Sequence, residues 1–149
     1  MVAGCRALSE LGGSLMAHDA PPEPVRPAAT SGEDVLAHIH DGSALIVPLA
    51  NGEPTMLLDA VEAAAARGEI DGVTVHQMHA LRDRPYLHGA YGARLRHVSY
   101  FLSHVTRPCF QAGTVDLVPN HFSEVFGHMQ ARTSDPLVIA AASPPDETG

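Results

Sequence analysis

The stretch Asn51-Gly52-Glu53-Pro54 combines the residue types of a ligand-binding turn. It follows the apolar run ALIVPL and is followed at once by a helical pattern. Asn and Gly adopt backbone angles that other residues avoid, and a helix that opens after a proline presents unpaired NH groups and the positive end of its dipole. Such a turn can hold an anion or the oxyanion of a reacting carbonyl group, or it can be purely structural. These four residues are the substrate-binding candidates of the sequence.

Glu53 raises a separate question, because a carboxylate in such a turn could act as a nucleophile. The sequence offers it neither a base nor a desolvating partner, so we expect a turn residue that points to water. Arginines also crowd the middle of the chain, at Arg82, Arg84, Arg94, Arg96 and Arg107. They indicate either a region that contacts an anionic ligand or a solvated surface on which they pair with Asp83 and other carboxylates.

Ten histidines invite a metal hypothesis. The sequence contains no HExxH motif and no Cys and His cluster with zinc-like spacing, so we predict no metal cofactor. It has no GxSxG motif, which disfavours a serine hydrolase. All nine basic residues are arginine, which excludes a Schiff-base lysine and a Walker-type phosphate lysine.

The composition fits one globular unit: 149 residues, 45% hydrophobic, 17% charged. A net charge of -8 argues against nucleic acid as a partner, because that affinity depends largely on cations. Cys5 and Cys109 lie outside any CxxC spacing, which favours reduced thiols. No run approaches the ~20 apolar residues of a membrane span, and the start lacks a signal-peptide pattern. We therefore expect a soluble, cytoplasmic protein without membrane partners.

The chain divides into a proline-rich leader, predicted to be flexible over residues 1–29, and an ordered domain over residues 30–149. A capping box at Thr30 or Ser31 opens a short helix. Four predicted strands follow, with a shorter edge strand as the fifth. Their residue ranges are 44–49, 72–78, 97–102 and 136–142, and 114–119 for the edge.

Strands that alternate with helical patterns predict an α/β fold, an open and mostly parallel sheet with helices on both faces. The first helix, PTMLLDAVEAAAARG, opens near Pro54 and ends at Gly68. Its predicted sheet-facing stripe is Met56, Leu57, Ala60, Val61 and Ala64. The second helix, residues 120–132, has an apolar stripe of Phe122, Val125, Phe126 and Met129.

Three stretches resemble the N-terminal region of the acetyl-CoA hydrolase/transferase family, which includes 4-hydroxybutyrate and succinyl-CoA:acetate CoA-transferases. HIHDGSALIVPLANGEPTMLLDAV resembles the family's opening strand, glycine-proline turn and helix. FQAGTVDLVPNHFSEV resembles a segment in which a glycine leads to a proline and a short helix. PLVIAAASPPDETG resembles a later strand and loop. The resemblance implies a CoA-transferase N-terminal domain-like fold over about four fifths of the chain.

This resemblance also implies a chemistry. A glutamate attacks an acyl-CoA thioester, and CoA passes through a glutamyl-CoA thioester to a small carboxylate of the acetate or 4-hydroxybutyrate type. The family's glutamate lies in the C-terminal half, so no residue here is carried over as catalytic, and the isolated chain is expected to be inactive. The implied partners are acyl-CoA, a small carboxylate, and a C-terminal catalytic half or second subunit; a homo-oligomer is compatible with it.

Rival interpretations remain open. The domain can be non-catalytic, either the remnant of a truncated gene or a scaffold subunit of a split enzyme. A sugar-phosphate isomerase on a similar α/β scaffold rests on fold analogy alone. Whether the acyl group passes to water or to a carboxylate, and which acyl donor and acceptor are used, is not encoded in these residues.

Overall fold

Five parallel strands form a single sheet in the computed structural model, which describes residues 31–143. The strands are β1 Ala44–Val47, β2 Val73–Gln77, β3 Leu95–Ser99, β4 Val115–Leu117 and β5 Leu137–Val138. They lie in the order β4-β3-β2-β1-β5, and every neighbouring pair is parallel. The predicted mostly parallel sheet is confirmed, with residues 114–119 supplying an edge strand. The predicted leader, residues 1–29, lies outside the described residues.

The helices alternate with the strands. They are α1 Thr55–Arg67, α2 Thr106–Gln111 and α3 Val125–Arg132. Short 3₁₀ helices complete the chain at Gly32–His38, Ala50–Gly52, Pro85–His88, Gly92–Arg94 and Phe122–Glu124. In the described part of the chain, no helix is both long and apolar enough to cross a bilayer. The architecture is α/β, as the alternating pattern predicts.

One face of the sheet is the core. The register sets Leu45 beside Val75 and Val75 beside His97, so these side chains share a face. Leu58 and Val61 of α1 are fully buried within the same hydrophobic cluster. On the opposite face the strand residues are mostly half-buried, and α3 lies beside Ile46 and Val138 of that face. The continuous apolar runs predict a sheet that is covered on both faces. The structure shows full cover on one face only, within residues 31–143.

Helix α1 begins and ends where the sequence predicts. Pro54 is its N-cap, and Gly68 ends it in the left-handed conformation at φ 75°. The predicted stripe is wrong at Met56, whose side chain is 75% exposed. Leu58, which the predicted stripe did not include, is completely buried. The helix packs on the sheet and also on the 3₁₀ helix Gly32–His38, so its buried arc is wider than a one-sided stripe and turned away from Met56.

The apolar stripe of the second predicted helix is largely uncovered. A 3₁₀ turn, Phe122–Glu124, precedes α3. Phe122 is 77% exposed and Phe126 is 72% exposed, whereas Val125 and Met129 are half-buried. The periodicity predicted a helix with an apolar face correctly, but among residues 31–143 too little of the chain lies over that face to bury it.

The observed orientation of α1 predicts that substitutions at Leu58 and at Met56 change the stability by very different amounts. Leu58→Ala should lower the free energy of unfolding by about 3 kcal/mol, because it removes buried methyl groups and leaves a cavity. Met56→Ala should change it by less than about 0.5 kcal/mol, because that side chain is mostly in water. Urea unfolding of the two variants measures the difference. Equal losses would contradict the orientation of the helix.

Candidate functional site at the strand switch point

The order of the strands creates a crevice. The chain runs outward from β1 through β2 and β3 to β4 and then returns to place β5 on the other side of β1. In such sheets ligands bind outside the carboxyl ends of the two strands that flank this switch point. A cavity of about 410 Å³ lies there, lined by residues 53–57 after β1, by residues 140–141 after β5 and by residues 31–32. Of the sequence-predicted turn residues, Glu53 and Pro54 line this cavity, and Asn51 and Gly52 do not.

The turn itself is built differently from the sequence expectation. The left-handed residue is Ala50, at φ 53°, and neither Asn51 nor Gly52 has a positive φ. Glycine is needed at position 52 for another reason: a Cβ there would lie 2.7 Å from the Cβ of Pro48. The close approach of the chain to Pro48 demands a residue without a side chain. The backbone oxygen of Gly52 accepts a hydrogen bond from the NH of Ala141 at 3.0 Å, which joins the turn to the segment after β5.

Backbone NH groups within the turn are mostly occupied. The NH of Gly52 donates to the oxygen of Leu49, and that of Glu53 donates to the oxygen of Ala50, both at 3.2 Å. Pro54 has no NH. The groups that can meet a ligand are therefore those of the first turn of α1, residues 55–57, which line the crevice and have no acceptor within the helix.

Glu53 is not turned to water, which corrects the sequence expectation. Its side chain is 2% exposed. One carboxylate oxygen accepts a hydrogen bond from Nε of Arg84 at 3.1 Å, and the other accepts one from Nε2 of Gln77 at 3.2 Å. Gln77 also donates to the backbone oxygen of Pro48 at 3.0 Å. The carboxylate is thus committed to holding the turn against β2 and the loop that follows it.

Arg84 is the centre of an ion cluster in which Glu53 and Glu62 are buried and Asp59 is 62% exposed. Besides Glu53, its guanidinium donates to Asp59 at 2.8 Å and to Glu62 at 3.1 Å, both on α1, and to the backbone oxygen of Thr55 at 3.3 Å. Its side chain is 6% exposed. Burial by itself lowers the pKa of Arg84, but the hydrogen bonds to Asp59 and Glu53, together with nearby negative charge, raise the pKa overall. The arginine stays charged and binds three carboxylates.

Glu62 experiences the opposite balance. Its side chain is 10% exposed, and burial raises its pKa above 4.5 despite the backbone NH of Tyr86 and the charge of Arg84, which both lower it. The NH of Tyr86 donates to its second oxygen at 3.2 Å. Both carboxylate oxygens of Glu62 therefore have structural partners.

The arginine-rich region does not converge on the crevice. Arg84 pairs with carboxylates, as one of the two interpretations predicted, but it does so in the interior and not on a solvated surface. Arg96 forms an exposed ion pair with Asp116 at 3.1 Å. Arg82 lines a separate cleft of about 240 Å³ beside Asp59 and Glu62. Within residues 31–143, none of the five central arginines lines the crevice.

The histidines are likewise dispersed. His76 shares hydrogen bonds with the hydroxyl groups of Tyr100 at 3.0 Å and Thr74 at 3.2 Å. His79 packs edge-on against Phe101. In the part of the chain that the structure describes, no three His, Cys, Asp or Glu side chains form a group that could hold a metal ion.

His97 is the most unusual of these side chains. It is fully buried in the core and stacks on the ring of Tyr86, with the ring centroids 5.8 Å apart. Neither ring nitrogen has a hydrogen-bond partner among the described residues. Burial, with a smaller contribution from His76, lowers its pKa from 6.5 to about 3. Sequence reasoning missed this residue, because a buried neutral histidine produces no periodic pattern in the sequence.

The fold is that of a doubly wound α/β domain, with a candidate ligand crevice at its switch point. The chain is 33% identical over 116 residues to the succinyl-CoA:cyclohexane-1-carboxylate CoA transferase of Geobacter metallireducens, covering 78% of this chain and 26% of that protein. This match relates the chain to the CoA-transferase family, and the chain spans about a quarter of the length of that relative. No protein-family model matches the chain.

Solved structures agree with the fold. A crystal structure of RipA from Yersinia pestis matches 64% of this chain and 24% of its own, with a TM-score of 0.54 and 25% identity. A structure of a RipA mutant matches the same shares of the two chains, with a TM-score of 0.58 and 27% identity. The matched part is a minority of those proteins.

Breaking the ion cluster should be costly. Arg84→Met leaves two buried carboxylates without their cation and should lower the free energy of unfolding by about 4 kcal/mol. Arg96→Met removes an exposed pair and should cost less than about 1 kcal/mol. Denaturant unfolding at neutral pH compares them. Similar losses in both variants would contradict the structural role of Arg84.

His97 predicts a pH dependence of stability. The unfolded chain binds a proton at this residue below pH 6.5, and the folded chain does not until about pH 3. Protonation of His97 therefore favours the unfolded chain. Its effect is absent above pH 6.5, grows as the pH falls, and lowers the free energy of unfolding by about 2 kcal/mol at pH 5. His97→Leu should remove that part of the slope. Urea titrations of both proteins at matched pH values isolate it, since the other titrating groups are common to both; parallel curves would refute the assignment.

Proposed function

We propose that this chain forms the N-terminal part of a CoA transferase that moves CoA between an acyl-CoA and a small carboxylic acid. The alignment of 116 residues with a CoA transferase carries the proposal. Coenzyme A, as the acyl-CoA, is then a substrate, and an acid of the acetate or 4-hydroxybutyrate type accepts it. Its close relation, acyl-CoA hydrolysis, differs only in that water takes the acyl group.

The proposed reaction needs a glutamate from outside residues 1–149. That carboxylate attacks the thioester carbonyl carbon, and the CoA thiolate leaves to give a mixed anhydride. The thiolate then attacks the glutamyl carbonyl carbon, which releases the first acid and forms the glutamyl-CoA thioester. An acceptor carboxylate reverses the two steps and takes CoA away as a new acyl-CoA.

Residues of this chain have a positioning role in the proposal. Glu53 and Pro54 line the crevice, Gly52 lets the turn close against Pro48, and the NH groups of residues 55–57 receive the negative charge that develops on the carbonyl oxygen. The two turn and helix carboxylates, Glu53 and Glu62, are poor nucleophiles because Arg84 and other donors already occupy their oxygens. This supports a nucleophile that belongs to the C-terminal catalytic half or to a second subunit.

A non-catalytic scaffold domain is the second candidate, either a remnant or a subunit of a split enzyme. The paired state of the buried carboxylates favours it equally, since a scaffold needs no reactive group. The two candidates differ in one measurable property, which is whether this chain contributes to turnover when the remaining part of the enzyme is present.

The deciding assay measures CoA exchange between an acyl-CoA and a labelled carboxylate. The purified chain alone should be inactive. Fusing the chain in place of the matched segment of the Geobacter metallireducens transferase should restore exchange, provided that the chain supplies a working crevice. Activity of the chain alone would contradict the external nucleophile, and a folded but inactive fusion would favour the scaffold.

Gly52→Val tests the turn within that fusion. The new side chain would clash with Pro48 and displace the crevice wall, so turnover should fall about 100-fold with KM affected less. Asn51→Ala serves as the matched control, since that residue is exposed and adds no clash. Unchanged kinetics in Gly52→Val would reduce the turn to scaffolding.

A further inference from the structure

The free edge of β5 and the apolar groove beside it form one continuous surface, called here the β5–α3 surface. The groove has a volume of about 570 Å³ and lies between α3 and the sheet. Its apolar walls come from Ile46, Phe126, Met129, Pro136 and Val138. Phe126 is 72% exposed and Val138 is 61% exposed. Contiguous apolar exposure of this kind marks an interaction surface.

The backbone beside the groove is also ready to pair. The NH of Ile139 donates to Ile46 and that of Ala141 donates to Gly52, so these alternate residues face β1 and the turn. Alternation along an extended chain turns the backbone groups of Val138 and Ala140 to the opposite edge. Among the described residues, no strand pairs with that edge of β5. A row of unpaired backbone groups next to an apolar groove is what an added strand requires.

The sheet is lopsided about its switch point. Within residues 31–143, three strands lie on the β2 side of β1, and β5 is the only strand on the other side, with two residues. Doubly wound sheets extend to both sides of the crevice, which sits between two halves. The share of the relative that this chain matches, 26%, leaves a long stretch of transferase sequence to supply the other half.

We propose that the β5–α3 surface docks a strand and its flanking apolar segment from the remaining part of the CoA-transferase polypeptide, which adds parallel to β5. The added strand would also extend the sheet beside the switch-point crevice. A second copy of this chain fits less well, because a two-fold contact would pair two strands of only two residues each. This inference rests on the proposed function.

Hydrogen exchange tests the docking without any acyl-CoA. The amides of Val138 and Ala140 should exchange at least about 100-fold more slowly in the Geobacter metallireducens fusion than in the free chain, because the added strand accepts their hydrogen bonds. Equal rates would overturn the proposal. Protection in the free chain that rises with its concentration would identify a second copy as the occupant and would also overturn it.

Matched variants give a second readout. Val138→Pro removes an NH that β1 does not use, and Phe126→Asp places a charge in the groove. Both should lower the melting temperature of the fusion while leaving that of the free chain nearly unchanged. Phe110 is 41% exposed on α2, which packs on β4 at the other edge of the sheet. Phe110→Asp should therefore change the melting temperatures of the two proteins equally. Equal effects of all three variants would contradict the surface.

The outcomes separate this inference from the proposed function. A fusion with protected amides and no CoA exchange overturns the function and keeps the surface. A fusion with CoA exchange and unprotected amides overturns the surface and keeps the function. If the fusion does not fold, the two pieces are coexpressed with separate tags, and failure to copurify overturns the docking.

Discussion

The interaction between Arg84 and its three carboxylates fixes the geometry on which the candidate site depends. One guanidinium connects the turn after β1, through Glu53, with α1, through Asp59 and Glu62. Arg84, Glu53 and Glu62 are buried and are held by each other, whereas the side chain of Asp59 is 62% exposed. The cluster therefore connects the turn, the first half of α1 and the loop after β2.

This cluster also explains the chemical character of the crevice. The carboxylate of Glu53 is paired with Arg84, and the other residues that line the crevice are uncharged. In the proposed function such a wall positions the substrate and stabilises the developing oxyanion, and the attacking group comes from elsewhere. Such a wall fits the division of labour in the proposed transferase, in which this domain shapes the site and another segment supplies the glutamate.

The two faces of the sheet reflect the same division. The core face is sealed by α1 and carries a neutral, buried histidine at its centre. The other face is half-covered, and α3 leaves aromatic rings in water beside the short strand β5. The half-covered face carries the proposed docking surface, which lies on the β5 side of the switch point.

The sequence by itself determined the α/β class, the positions of the five strands along the chain and the two ends of α1, because those depend on local periodicity and on proline and glycine signals. It also located the turn at 51–54. It did not predict the six-residue helix α2. Only the tertiary structure decided that Glu53 and Arg84 are buried partners, since they lie 31 residues apart and meet through strand order. For the same reason it alone decided that Leu58 is buried and Met56 is not: periodicity gives a helix its apolar face, but the elements packed around it select which residues lose contact with water.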